Sequence, residues 1–298
     1  MTPGESAMLM QTMTPANAQP QALPAADSVG VQTPLFANQV EKTYSNGTHA
    51  LSRVKLAIQR GEFVSLLGPS GCGKSTLLKM FAGLEQPSAG NVRWWGKDRP
   101  ATHTPGRSLA MVFQEATLMP WARVSDNVRL PLDLAGTPKE QSQPKVDAAL
   151  ALVGLGGFSQ VYPRELSGGM QMRASIARAL ATEPNLLLMD EPFGALDELT
   201  RNKLDSDLRQ LWTSRDLTVV FVTHSIFEAV YLSSRVVVMG ARPGRVIADV
   251  PMCRSTARCI GTRPTAPPRF LSNSAPTCPG CWPRPMATLA ESNSRAQS

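Results

Sequence analysis

The chain has 298 residues, 42% hydrophobic and 18% charged, enough apolar content for one large domain or two ordinary ones. Its net charge of +7 is uneven: Cys253 to Ser298 holds six Arg against the single acid Glu291, so residues 1–252 are close to neutral. Cys253, Cys259, Cys278 and Cys281 share that same stretch and only Cys72 lies elsewhere, which excludes a disulfide-stapled secreted body.

Residues 1–34 are rich in Met, Ala, Gln, Thr and Pro and contain no Lys or Arg, so they read as a disordered leader without the basic start of a signal peptide. No apolar run reaches the ~18 residues that span a bilayer, and a reducing cytosol is the expected compartment. From Leu35 the pattern changes. Val54, Leu56 and Ile58 alternate with polar neighbours as a half-buried strand does, and Glu62 to Leu67 is an apolar strand running into Gly68. Further strands are expected at 109–113, 186–190, 219–223, 235–239 and 245–250. Helices are expected at about 74–83, 125–134, 144–153, 169–182, 198–214 and 225–233. This alternation predicts an α/β fold with parallel strands in its core. The absence of a strand pattern between Glu115 and Thr182 predicts a helical insertion. The organised region is expected to span 35–252, with a helical subdomain at about 115–182.

The segment Gly68-Pro69-Ser70-Gly71-Cys72-Gly73-Lys74-Ser75-Thr76 has the spacing G-x-x-x-x-G-K-[ST] between a strand and a helix. Glycines let backbone N–H groups turn inward around phosphate, and the helix that follows offers its positive end. Lys74 suits the β- and γ-phosphates, the Ser75 hydroxyl a Mg2+ ion, and Thr76 the region of the α-phosphate. A second strand, Leu186 to Asp190, ends in the carboxylates Asp190 and Glu191. Asp190 is placed to hold Mg2+, and Glu191 to act as base for a water attacking the γ-phosphate in line.

Leu166-Ser-Gly-Gly-Met-Gln-Met-Arg173 opens the next helix and narrows the class. Here the sequence resembles the ATP-binding-cassette ATPases, whose signature is LSGGQ, with Met170 at the usual Gln position. The resemblance implies a P-loop NTPase fold with a RecA-like mixed or parallel sheet core, a helical subdomain and an antiparallel β subdomain. It also implies ATP and Mg2+, and a head-to-tail dimer in which Ser167, Gly168 and Gly169 bind the γ-phosphate held by the second copy. Gln114 then matches the glutamine that links metal and attacking water to the helical subdomain. Ala195-Leu-Asp197 matches the loop crossing the dimer interface, His224 the switch histidine at the γ-phosphate, and Tyr44 the aromatic stacked on adenine.

Ala116 to Trp121 is unusually apolar for a loop, with Leu118, Met119, Pro120 and Trp121 in succession. Together with the segments around Glu191, His224 and Gly244, it resembles the importer branch for nitrate, sulfonate, taurine or bicarbonate-like solutes. That likeness implies an integral membrane permease docked on this loop, with a periplasmic or lipoprotein solute-binding protein as an indirect partner. It implies a peripheral position on the cytoplasmic face of the inner cell membrane. The alternative is a soluble cassette ATPase acting on ribosomes or DNA. A near-neutral body and the lack of a heptad run argue against nucleic acid. Residues 253–298, with seven Pro and four Cys, read as a disordered basic tail. Two other readings stay open there: a zinc or redox pair at Cys278 and Cys281, and a reading-frame change near residue 252.

Overall fold

The computed structural model describes residues 33–98, 108–194, 196–215 and 217–252. The leader and the Cys-rich tail lie outside the described residues, apart from Thr33 and Pro34.

Among the described residues, nine strands form two sheets. The larger one carries β3 (Phe63–Leu67), β5 (Leu109–Val112), β6 (Leu186–Asp190), β7 (Thr218–Thr223), β8 (Arg235–Gly240) and β9 (Arg245–Pro251), in the order β5-β6-β7-β3-β8-β9. All neighbours are parallel except β9, which runs antiparallel along β8. Its central strands are largely apolar because both faces are covered. Phe63, Leu187, Met189, Val219 and Phe221 enter one core, while Val64, Leu66, Leu188, Val220 and Val222 enter the other. Successive side chains of a strand point to opposite faces, so one strand supplies both cores.

The second sheet is antiparallel, in the order β2-β1-β4, from β1 (Leu35–Thr43), β2 (His49–Ile58) and β4 (Ala89–Trp94). Val54, Leu56 and Ile58 are buried in β2, as the alternation predicts, and Leu51 is buried with them. The sequence pattern does not reveal β1 or β4. In β1 the register shifts between Ala37 and Val40 and Gln39 takes a φ of 50°, so the period of two is broken. Strand β4 opens Ala-Gly-Asn, residues poorly suited to strands.

The helices are α1 (Lys74–Phe81), α2 (Val124–Leu134), α3 (Lys139–Leu152), α4 (Gly168–Ala181), α5 (Glu198–Ser214) and α6 (Ile226–Leu232). Helices α2, α3 and α4 follow one another between β5 and β6 with no described strand between them. Helix α3 starts five residues before the expected position. Pro144 lies inside the helix, a position proline usually avoids, so nothing local in the sequence extends the helix back to Lys139.

Candidate active site

The phosphate-type loop joins the end of β3 to α1. Its shape depends on glycine at two points. Gly73 has a φ of 89°, and a Cβ there would lie 2.7 Å from Leu51 Cδ2 and 3.0 Å from Ala50 O. At Gly68 a Cβ would meet Met239 O at 2.5 Å. Any side chain at either position would displace the loop. The tip, Pro69 to Gly71, is exposed, and no atom lies within 4 Å of where a Gly71 side chain would begin. Cys72 is fully buried beneath the loop.

Lys74 is only 4% exposed. Its ammonium donates to the carbonyls of Gly68 at 2.8 Å and Pro69 at 3.0 Å, and Glu191 Oε1 stands 3.9 Å away. A buried cation satisfied mainly by neutral carbonyls still favours an anion beside it. The first-turn N–H groups of α1 have no partners within the helix, and the helix has neither a side-chain cap nor an acid in its first turn. The loop therefore fits a phosphate group.

Two strand ends complete the site. The Ser75 hydroxyl donates to Asp190 Oδ1 at 2.9 Å. A hydroxyl and a carboxylate are the hard oxygen donors that Mg2+ takes alongside water and phosphate, so this pair fits the ion. Burial raises the Asp190 pKa above the ordinary carboxylate value, opposed by the Ser75 hydrogen bond and reinforced by the charge of Glu191. Glu191 has a φ of 45°, a left-handed backbone that is costly for a non-glycine residue and recurs at functional sites. Its N–H donates to Val222 O, and its Oε2 lies 3.2 Å from Nδ1 of the exposed His224. A carboxylate held between a buried ammonium and an imidazole, facing a phosphate cradle, has the parts needed to orient and deprotonate a water.

The remaining expected residues divide. Tyr44 Oη is 3.3 Å from Thr76 Oγ1, so its ring is tethered at the start of α1, and Lys42 Nζ lies 5.2 Å from the ring centroid. Gln114 is exposed and makes no side-chain hydrogen bond among the described residues. Ser167 caps α4 by accepting from Met170 N at 3.3 Å. Ser167 and Gly168 are exposed, a Cβ at Gly168 would meet nothing within 4 Å, and no hydrogen bond joins residues 167–169 to the loop at 68–76 among the described residues. Of the segment Ala195 to Asp197, Ala195 lies outside the described residues. Leu196 is buried against Gly169, and Asp197 caps α5 by accepting from Thr200 N. That hydrogen bond holds the Asp197 carboxyl below its ordinary pKa.

Trp121 is 75% exposed, so its indole does not pack under the helical segment. The loop that carries it is tied down from below. Arg178 of α4 donates to the carbonyls of Ala116 and Thr117 and to Thr117 Oγ1. The fully buried Asn127 accepts from Met119 N and donates to the carbonyls of Met119, Ala122 and Arg123. Sequence reasoning missed both residues, because nothing in a lone Arg or Asn within a helix signals a loop it will hold.

A family model described as ABC transporter matches residues 51–194. An uncharacterized ABC transporter ATP-binding protein of Methanocaldococcus jannaschii is 49% identical over 201 residues, 67% of this chain and 74% of that protein. The taurine import ATP-binding protein TauB of Rhizobium johnstonii is 48% identical over 205 residues, 69% of this chain and 77% of that one. The aliphatic sulfonates import ATP-binding protein SsuB of Bacillus cereus is 42% identical over 212 residues, 70% and 82% of the two chains. Among solved structures, a dimeric post-hydrolysis state of an ATP-binding cassette bound to ADP and Pi matches with a TM-score of 0.66 at 33% identity. That match covers 74% of this chain and 99% of the other.

Proposed function

The chain belongs to the ATP-binding proteins of ABC transporters, a family of P-loop ATPases, and from that premise we propose that it powers uptake of a small anionic solute, a sulfonate such as taurine, through a separate membrane permease. The observation that carries the ATPase part is the array of Lys74, Glu191 and His224 around one phosphate cradle.

In this reading the loop N–H groups and Lys74 bind the phosphates of ATP, and the Tyr44 ring stacks on adenine. Ser75, Asp190 and Gln114 hold Mg2+, which when bound neutralises charge developing on the phosphate oxygens. Glu191 takes the proton of the attacking water, while His224 contacts the γ-phosphate and keeps the Glu191 carboxylate aimed. Ser167, Gly168 and Gly169, the first two of them exposed, serve the site of a second copy. This agrees with the lack of any hydrogen bond from these residues to the chain's own cradle among the described residues. Closure of the pair moves the permease, and hydrolysis resets it.

The permease partner is supported by the loop at 116–121, with an exposed indole on a backbone fixed by Arg178 and Asn127. An aromatic side chain on a rigid support is well suited to anchor a partner. No described helix is long and apolar enough to cross a membrane. The chain is thus read as a peripheral subunit on the cytoplasmic side, with a solute-binding protein acting beyond the membrane.

The test is reconstitution of the chain with a candidate sulfonate permease in vesicles, followed by labelled taurine. ATP-dependent uptake that disappears with Glu191→Gln supports the reading. Robust ATP hydrolysis without uptake or permease association, together with ribosome co-sedimentation, would assign the chain to a soluble cassette ATPase instead.

A further inference from the structure

The two segments that bring Glu191 and His224 together rest on one ion pair beneath the site. Arg201, in the first turn of α5, donates from Nε to Phe193 O at 3.2 Å and from Nη2 to Leu196 O at 3.0 Å. Those carbonyls belong to the turn that follows Glu191. The same Nε lies 3.7 Å from Oε1 of Glu228 on α6. The other oxygen of Glu228 accepts from the Thr223 hydroxyl at the end of β7, and Thr223 Oγ1 accepts from Ser225 N at 2.9 Å. His224 sits between those two residues.

We propose that Arg201 is a positioning residue for ATP hydrolysis: with Glu228 and Thr223 it locks the turn after Glu191 to the turn bearing His224, and so sets their 3.2 Å contact. The proposal rests on the reading of Glu191 and His224 given above.

The setting makes the tie strong. Glu228 and Thr223 are both buried, and a charge-assisted hydrogen bond or ion pair away from water is harder to break than an exposed one. One helical turn beyond Arg201, Asp205 is 1% exposed, and neither of its carboxyl oxygens has a hydrogen-bond partner among the described residues. It faces Glu228 from α6 and Arg201 on its own helix. Burial first, and then the charge of Glu228, push its pKa up to about 7, with Arg201 opposing. Arg201 is therefore the one cation facing these two buried acids among the described residues. Removing it would leave Glu228 uncompensated and both turns unsupported.

The experiment compares Arg201→Met, Arg201→Lys, Thr223→Val and Glu191→Gln in the full chain, reading kcat, KM for ATP, nucleotide affinity and Tm. Small misplacements of reacting groups cost about 10- to 100-fold in rate. Arg201→Met and Thr223→Val should each lower kcat by at least ~10-fold while KM moves less than ~3-fold, since the phosphate cradle is untouched. Arg201→Lys should recover part of the loss. The double variant Arg201→Met with Glu191→Gln should be no slower than Glu191→Gln alone, because Arg201 acts through Glu191. If Arg201→Met does not fold, Thr223→Val decides, as it removes a single hydroxyl. A folded variant with kcat within ~2-fold of the parent, or losses that multiply in the double variant, overturns the proposal. If Glu191→Gln itself keeps its turnover, the underlying reading falls too. If Glu191→Gln is inactive while Arg201→Met and Thr223→Val are normal, only this inference falls.

Discussion

Glu191 Oε2 stands 3.2 Å from His224 Nδ1, joining the ends of two adjacent parallel strands, β6 and β7. Adjacent parallel strands place their C-terminal ends side by side, and ligands of open α/β sheets bind at those ends. The contact therefore follows from topology: once β6 and β7 are neighbours in register, the residues just past them meet.

Gly73→Ala should remove nucleotide binding. Its added Cβ would require a left-handed backbone at φ 89° and a shift of Leu51 or of the Ala50 carbonyl. Strain of this kind costs about 1–3 kcal/mol, so a fall in Tm should accompany the loss. Binding titrations with a fluorescent nucleotide check it, and unchanged affinity would show that the loop is not the cradle.

Trp121→Ala should leave Tm and ATP hydrolysis by the isolated chain unchanged, because the indole is 75% exposed. Affinity for the permease should fall by ~10-fold or more if the indole anchors the contact. Arg178→Met should weaken the same contact while leaving Trp121 in place, since it frees the Ala116 and Thr117 carbonyls. Pull-down with the purified permease measures both, and full retention by both variants would move the docking surface elsewhere.

Much of this architecture is legible along the chain because its signals are local. The loop from Gly68 to Thr76, the strand ending at Asp190 and Glu191, and the cap at Ser167 each lie within a few consecutive residues. The apolar strands also announce themselves, since burial on both faces demands unbroken runs. What stays hidden is long-range or irregular. Strand β1 is broken by a bulge at Gln39, Pro144 masks the start of α3, and Arg178 reaches across 61 positions to its loop. The Arg201–Glu228 pair is equally silent, because two charged residues on separate helices read as solvated surface until the fold buries one against the other.

Asp205 gives the protein a pH-dependent stability with a defined sign. Its pKa rises from 3.8 when unfolded to about 7 in the fold. The folded state thus holds its proton more tightly, so this contribution is complete below about pH 4 and is lost as pH rises through 7. Each pKa unit is worth about 1.4 kcal/mol, which puts the whole effect on the order of 4 kcal/mol. Denaturant titrations at several pH values should show parental stability falling between about pH 4 and pH 7, with Asp205→Asn removing most of the slope. A parental slope that survives in Asp205→Asn would assign it to another group.

Ser167→Arg tests whether the exposed signature serves a second copy. A bulky cation at an open helix start should leave ATP binding by the isolated chain intact, since no bond joins this segment to its own cradle among the described residues. Turnover should fall at least ~100-fold if the residue completes a partner's site. Equal activity in the purified variant would argue that each chain hydrolyses ATP alone.

The most direct measurement is ATP hydrolysis and assembly state of Glu191→Gln beside the parent. The variant should bind ATP with parental affinity, lose at least ~100-fold in turnover, and elute as a dimer only when ATP is present. Turnover close to the parent's would contradict this reading, because the carboxylate between Lys74 and His224 would then not be the group that activates water.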